Sequence, residues 1–321
     1  MDLREASLVP SSDSDPQAGS GVALSGSICA LATPFRAGDG ALDLDAYGRL
    51  VDHQLAGGTR ALVVAGSTGE AAALDDEEYS RLIAFAVARV AGRVPVLAGS
   101  GLSSTHKTIA QTQRAVDAGV DYALVVAPAY VRPTQDGMFR HFSEVADRAR
   151  VPVVLYNVPS RTACDLRPET VARLAGHGNI AGIKEAVGDA ARMRELLALR
   201  TPSFSILSGD DPTCARALLA GADGVISVAA NVAPALFAAM CAACARGDEA
   251  VAGELDRRLQ PLYDALGLEP NPIPLKWCLS RLGLGSATPR LPLTELSPAL
   301  RADADRVLAE LGLVEAAPAV G

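Results

Sequence analysis

The sequence predicts a (β/α)8 barrel of the TIM type, followed by a C-terminal helical extension. Three observations predict it. Eight short runs rich in β-branched residues recur along the chain. Each is continuously apolar rather than alternating, as strands buried on both faces are. Helical patterns separate successive runs, which argues for a parallel sheet built from strand–helix units. The 321 residues suit this reading, because α/β barrels of about 250 residues commonly form one domain.

The runs are SICALATP (27–34), RALVVAG (60–66), VPVLAG (94–99), DYALVVAP (121–128), VPVVLYN (151–157), IAGIKEA (180–186), FSILSGDD (204–211) and ADGVISVAA (222–230). Between them lie stretches with helical spacing, such as DDEEYSRLIAFAVARVAG, STHKTIAQTQRAVDAG and DAARMRELLALR. Gly57, Gly92, Gly119 and Gly221 stand where helices end. A doubly wound open sheet would want a phosphate-binding glycine fingerprint after its first strand, and ATPFRAGDG is not one. Strand-like runs stop near residue 246. Three helical patterns then follow over 247–314, with NPIPLKWCLSRLG in the middle. The predicted organisation is therefore a polar, disordered tail over 1–25, a catalytic barrel over 26–246, the helical region over 247–314 and a loose tail over 315–321.

Hydrophobic residues make up 49% of the chain, enough for a large core, and the net charge is −8. That charge argues against nucleic acid or an anionic membrane as partner. No signal peptide is visible, and the reading is a cytoplasmic protein. GVISVAANVAPALFAAMCAACA is long and apolar, but Asn231 and Pro234 divide it into strand, loop and helix. Six scattered cysteines suggest a reduced interior, and the single C-x-x-C (Cys241 and Cys244) lies in a helical pattern without a second pair. No metal site is expected.

Catalytic residues of such barrels sit at the C-terminal ends of the strands. The polar residues there are Ser67, Thr68 and Glu70; Tyr130 and Arg132; Tyr156, Asn157 and Arg161; Lys184 and Glu185; Ser208, Asp210 and Asp211. In GIKEA, period-two alternation puts Gly182 and Lys184 on one face, and that face is taken as inward. Water is scarce there, and desolvation disfavours an ammonium. A neutral amine attacks ketones. Tyr156 ends the neighbouring strand and can shuttle protons in the same volume. The plainer alternative has Lys184 paired with a carboxylate, merely closing the barrel top. GSTGE (66–70) is a turn with free backbone N–H groups that can bind a small carboxylate, and Arg161 can grip a second one with its planar fork. A plain turn and a surface ion pair are the alternatives for these two.

Taken together, GSICALATPF, GSTGE, PAYVRPTQDGMFRHF, YNVPSRT, GIKEAVGD, LSGDD, GVISVAANVAP and NPIPLKW resemble the dihydrodipicolinate synthase family, within the pyruvate-dependent Schiff-base aldolase and lyase superfamily. The likeness runs in order from about Ser25 to Leu313. It implies condensation of pyruvate with L-aspartate 4-semialdehyde, giving 4-hydroxy-tetrahydrodipicolinate for lysine and diaminopimelate biosynthesis. It further implies that Lys184 forms the imine and Tyr156 moves protons, in a relay with Ser67 and with a Tyr130 contributed by a neighbouring subunit. Thr68 and the Ser67 amide would hold the pyruvate carboxylate. The Ile226 carbonyl and Gly209 would line the substrate site, and Arg161 would hold the semialdehyde carboxylate. No cofactor is implied, and the expected assembly is a homotetramer built as a dimer of dimers. The sequence departs from the family pattern in Ser67, where the synthases usually carry Thr, and in Ala129-Tyr130, where they carry two tyrosines. The alternatives are a sister pyruvate aldolase or lyase acting on another aldehyde, and a non-catalytic barrel that binds a small acid. Lysine-inhibited members bind that end product at a dimer interface. The corresponding positions are Ala71, Asp76, Tyr79, Ser103, Lys107 and Ala129, a set that predicts no inhibition by lysine.

Overall fold

The computed structural model describes residues 23–315. The two expected tails fall outside the described residues except for 23–25 and 315. Eight strands form where the apolar runs predict them: β1 (Gly26–Ala30), β2 (Ala61–Val64), β3 (Val96–Gly99), β4 (Tyr122–Val126), β5 (Val153–Asn157), β6 (Ile180–Glu185), β7 (Ser205–Ser208) and β8 (Gly224–Ser227). They close into a parallel barrel in chain order, and β8 returns to β1 with Ile28 opposite Ile226. Closure leaves no unpaired sheet edge.

Around the barrel run α1 (Leu44–Ala56), α2 (Asp76–Val90), α3 (Thr105–Asp117), α4 (Gln135–Arg148), the short α5 (Pro159–Thr162), α6 (Pro168–Leu174), α7 (Ala190–Leu197), α8 (Asp211–Leu219) and α9 (Pro234–Ala245). Local chemistry starts several of them. Asp75 and Glu78 form a reciprocal capping box on α2. Thr134, Asp189 and Asp248 accept a first-turn N–H at their helix starts. Gly92, Gly119 and Gly221 follow helices with positive φ. The long apolar stretch divides as expected: β8 is followed by a 3-10 turn at Ala229–Asn231 and then by α9. Among the described residues no helix is long and apolar enough to cross a membrane.

Two hydrophobic layers result. The larger lies between strands and helices. The smaller fills the barrel and includes Ile28, Val63, Leu97, Leu124, Val154 and Leu207, each at most 2% exposed. Side chains of this size contribute about 1.5–3 kcal/mol each on full burial, so the barrel interior is a packed floor, and the site sits above it. After α9 the chain continues as α10 (Glu249–Leu266), α11 (Ile273–Arg281) and α12 (Pro298–Glu310). α10 packs on α8 and α9, and α12 on α10 and α11.

Candidate active site

Tyr156 and Lys184 face each other across neighbouring strands, paired in register between β5 and β6. Both are buried, at 7% and 5% exposure. The Lys184 Nζ stands 4.3 Å from the centroid of the Tyr156 ring. The expected alternation holds from Gly182 onward: Gly182 pairs with the inward Val154 and Lys184 with the inward Tyr156, while Ile183 pairs with Leu155 of the outer layer. The β5–β6 register shifts just before, and Ala181 is the extra residue of β6. A Cβ on Gly182 would lie 2.3 Å from the Ser205 carbonyl oxygen, so the position beside the bulge needs glycine. Lys184 keeps its inward direction because the slip precedes it.

Gly209 makes room for the lysine. A Cβ there would come within 2.8 Å of Lys184 Cε and 2.9 Å of Cγ. The Gly209 N–H donates to the Glu185 carbonyl at 2.7 Å, which fixes that spacing. No carboxylate forms an ion pair with Lys184 among the described residues, and the plainer reading of a strand-end ion pair is not what forms. The adjacent Glu185 points to the opposite face. It accepts from Arg192 Nε at 2.7 Å, from the Val187 N–H at 2.8 Å and from Asn157 Nδ2 at 3.1 Å. Burial pushes the Glu185 carboxyl up, and the Arg192 guanidinium opposes that shift. Arg192 also bonds Asp165 and the Leu166 carbonyl. This clamp ties β5, β6, α7 and the loop after α5 into one unit behind the Tyr156–Lys184 pair.

The GSTGE turn leaves β2. The backbone N–H groups of Ser67 and Thr68 have no acceptor among the described residues. Thr68 is 4% exposed, and its Oγ1 accepts from Asn271 Nδ2 at 3.0 Å. Ser67 is exposed. Glu70 is buried, and its carboxylate pairs with the buried Lys276 of α11 and accepts from the Arg290 N–H at 2.9 Å. Burial pulls the Lys276 ammonium down, and the Glu70 charge raises it in return. Arg161, on α5, is exposed, and its Nη2 donates to the Asn271 carbonyl at 3.1 Å. Ile226 ends the β8 side of the interior at 1% exposure. Asp211 Oδ2 accepts from the Val228 and Ala229 N–H groups at 3.0 and 2.8 Å, which holds the segment after Ile226.

The chain by itself thus brings Lys184, Tyr156 and Gly209 together and links Thr68 to Arg161 through Asn271. Tyr130 is not part of that group. It is 91% exposed with φ of 72°. Sequence reasoning missed Asn271, Lys276 and the Glu185–Arg192 clamp as parts of the site. The one available signal was NPIPLKW, a motif of the resemblance with no role attached to it. All six cysteines are buried free thiols, and burial pushes Cys241 and Cys244 up.

The model of the dihydrodipicolinate synthetase family matches residues 23–311. The chain belongs to this family. It is 56% identical over 295 residues to the 4-hydroxy-tetrahydrodipicolinate synthase of Stenotrophomonas maltophilia, covering 92% of this chain and 99% of that one. The chloride-inhibited dihydrodipicolinate synthase of Acinetobacter baumannii, solved with pyruvate, superimposes with a TM-score of 0.88 at 40% identity, over 90% of this chain and 99% of that chain. The synthase of Cyanidioschyzon merolae, solved with lysine bound, has a TM-score of 0.87 at 33% identity, over 90% of this chain and 99% of that one.

Proposed function

We propose that this protein condenses pyruvate with L-aspartate 4-semialdehyde through a Schiff base on Lys184, giving 4-hydroxy-tetrahydrodipicolinate. The observation that carries the reading is a buried lysine with no ion-paired carboxylate among the described residues, over the ring of a buried tyrosine, in a chain of this family.

The residues suit each step. The Lys184 amine attacks the pyruvate ketone, and loss of water leaves an imine. Tyr156 serves as the proton donor and acceptor beside it. The carboxylate of pyruvate takes the unpartnered N–H groups of the Ser67–Thr68 turn and the Thr68 hydroxyl. The Ile226 carbonyl and Gly209 line the same volume. The protonated imine acts as an electron sink, so a methyl proton leaves and an enamine forms. Its carbon attacks the aldehyde of the second substrate, whose carboxylate Arg161 holds. The substrate's own amine then adds to the imine carbon, Lys184 departs, and the ring closes. Ser67 keeps the hydroxyl that a relay to Tyr156 needs. Borohydride added with pyruvate should leave a reduced pyruvyl adduct on Lys184, located by intact mass and peptide mapping. An unmodified Lys184, or an adduct elsewhere, removes this mechanism.

The relay is completed by assembly in the same proposal. Tyr130 lies beside Val131, 52% exposed, and Leu102, which precedes Ser103, is 41% exposed. The Ser103 hydroxyl donates to the Ala129 carbonyl at 2.8 Å, which holds the two loops together. Such an apolar cluster around a tyrosine fits an interface. The active species is a homo-oligomer, a tetramer of two dimers, and Tyr130 enters the neighbouring site. Light scattering at assay concentration checks this; a fully active monomer contradicts it.

A further inference from the structure

Asn271 precedes α11, outside the barrel strands, yet it reaches both proposed carboxylate sites. Its side-chain Nδ2 donates to Thr68 Oγ1 at 3.0 Å, its backbone carbonyl accepts from Arg161 Nη2 at 3.1 Å, and its Oδ1 is buried without a partner. Building on the function proposed above, we infer that the Asn271 side chain is a positioning residue for pyruvate: it turns the Thr68 hydroxyl proton toward the substrate carboxylate.

A hydroxyl carries one proton and two lone pairs, and an amide NH2 can only donate. The Asn271 bond therefore occupies a lone pair of Thr68 Oγ1 and sends the O–H elsewhere. No other partner of Thr68 Oγ1 is present among the described residues. A carboxylate is acceptor-only. A hydroxyl that meets it proton-first attracts it, and one that meets it lone-pair-first repels it. Thr68 is nearly buried, so bulk water does not set the rotor in place of the amide.

The side chain is not needed to hold the turn. α11 is already anchored to that turn by the buried Lys276–Glu70 pair, and Glu70 lies two residues beyond Thr68. The two halves of Asn271 also divide their work. The side chain serves the first substrate, and the backbone carbonyl restrains Arg161, which serves the second. A side-chain substitution should separate the two.

Asn271→Ala and Asn271→Asp decide the matter, assayed for both Michaelis constants, for thermal midpoint and for borohydride trapping against pyruvate concentration. Alanine removes the donor. Aspartate fills the same space but only accepts, so it draws the Thr68 proton away from the substrate and adds a like charge. The pyruvate KM should rise about ten-fold in Asn271→Ala, the worth of one hydrogen bond, and further in Asn271→Asp. The semialdehyde KM should stay within about three-fold of the parent, less than a hydrogen bond is worth. Asn271→Asp performing as well as the parent, or better than Asn271→Ala, overturns the inference. So does a joint rise of both constants that follows the loss of thermal midpoint. Thr68→Val supplies an arm that does not depend on the Asn271 variants folding: it deletes the same hydroxyl and should raise the pyruvate KM alone. An unchanged pyruvate KM in Thr68→Val also overturns it. A parent protein that traps no pyruvate removes the function reading instead; a trapping parent with a tolerant Asn271→Asp removes only this assignment.

Discussion

Lys184 and Glu185 are adjacent in sequence and have opposite environments. Lys184 faces the barrel mouth with no ion-paired carboxylate among the described residues, whereas Glu185 is fully buried behind it and held by Arg192 and Asn157. Alternation along one strand produces that division. It keeps a negative charge close in sequence from pairing with the amine proposed as the nucleophile. Arg161 offers the sharpest single-residue prediction. Its guanidinium is exposed, donates to the Asn271 carbonyl and forms no ion pair among the described residues. Arg161→Ala should slow turnover of aspartate semialdehyde by one to two decades, about 2–3 kcal/mol for a charge-assisted bidentate contact. Imine trapping with pyruvate should persist. Trapping and folding lost together would mark Arg161 as structural.

Among the elements, α11 departs most from its sequence reading. The pattern shows a helix in an appendix to the barrel. The folded chain makes it a strut for the GSTGE turn. Lys276 and Glu70 pair out of water, and the Lys276 Nζ also lies 4.2 Å from the centroid of the Phe35 ring and 3.1 Å from the Thr288 carbonyl. Arg290 extends the contact by pairing with Glu78 on α2. Removing one member of a buried pair strands the other charge, at a cost of about 3–5 kcal/mol. Lys276→Met should therefore lower the thermal midpoint by on the order of 10 °C. Adding Glu70→Gln should restore more than half of the loss. Calorimetry measures both, and a single variant as stable as the parent would show that the pair contributes nothing net.

For the whole molecule, the regulatory prediction follows from how surface groups are already engaged. Asp76 could offer a bound lysine an opposite charge, but Arg114 pairs with it at 2.6 Å. The Tyr79 hydroxyl donates to the Gly99 carbonyl at 3.0 Å, and the Ser103 hydroxyl is spent on Ala129. Lys107 adds a like charge, and Ala129 has neither ring nor hydroxyl. Each missing contact is worth roughly 1–3 kcal/mol, so two or three remove about two decades of affinity or more. Free lysine should leave the rate unchanged through about 1 mM, the concentration that matches a binding free energy of about −4 kcal/mol. Half-inhibition below that range in a rate titration would mean that a lysine site survives in another form.

The eight strands, the flanking helices and the strand-end positions of Tyr156 and Lys184 were legible in the sequence by itself. They depend on local patterns: apolar runs for strands buried on both faces, capping residues and glycines at helix ends, and alternation along a strand. The family motifs could be read for the same reason, since each lies within one short segment. Only the tertiary structure decided which distant segments meet. Asn271 and Thr68 are 203 residues apart, and Lys276 and Glu70 are 206 apart. No local periodicity records such a meeting. The slip at Ala181 was also hidden, because a bulge is set by how neighbouring strands pair rather than by a pattern within β6. Tyr130 marks the same limit from outside. Its sequence places it on a loop, and at 91% exposure the single chain does not fix it, because a side chain in solvent acquires a fixed position only from a surface that covers it; the proposed assembly supplies that surface.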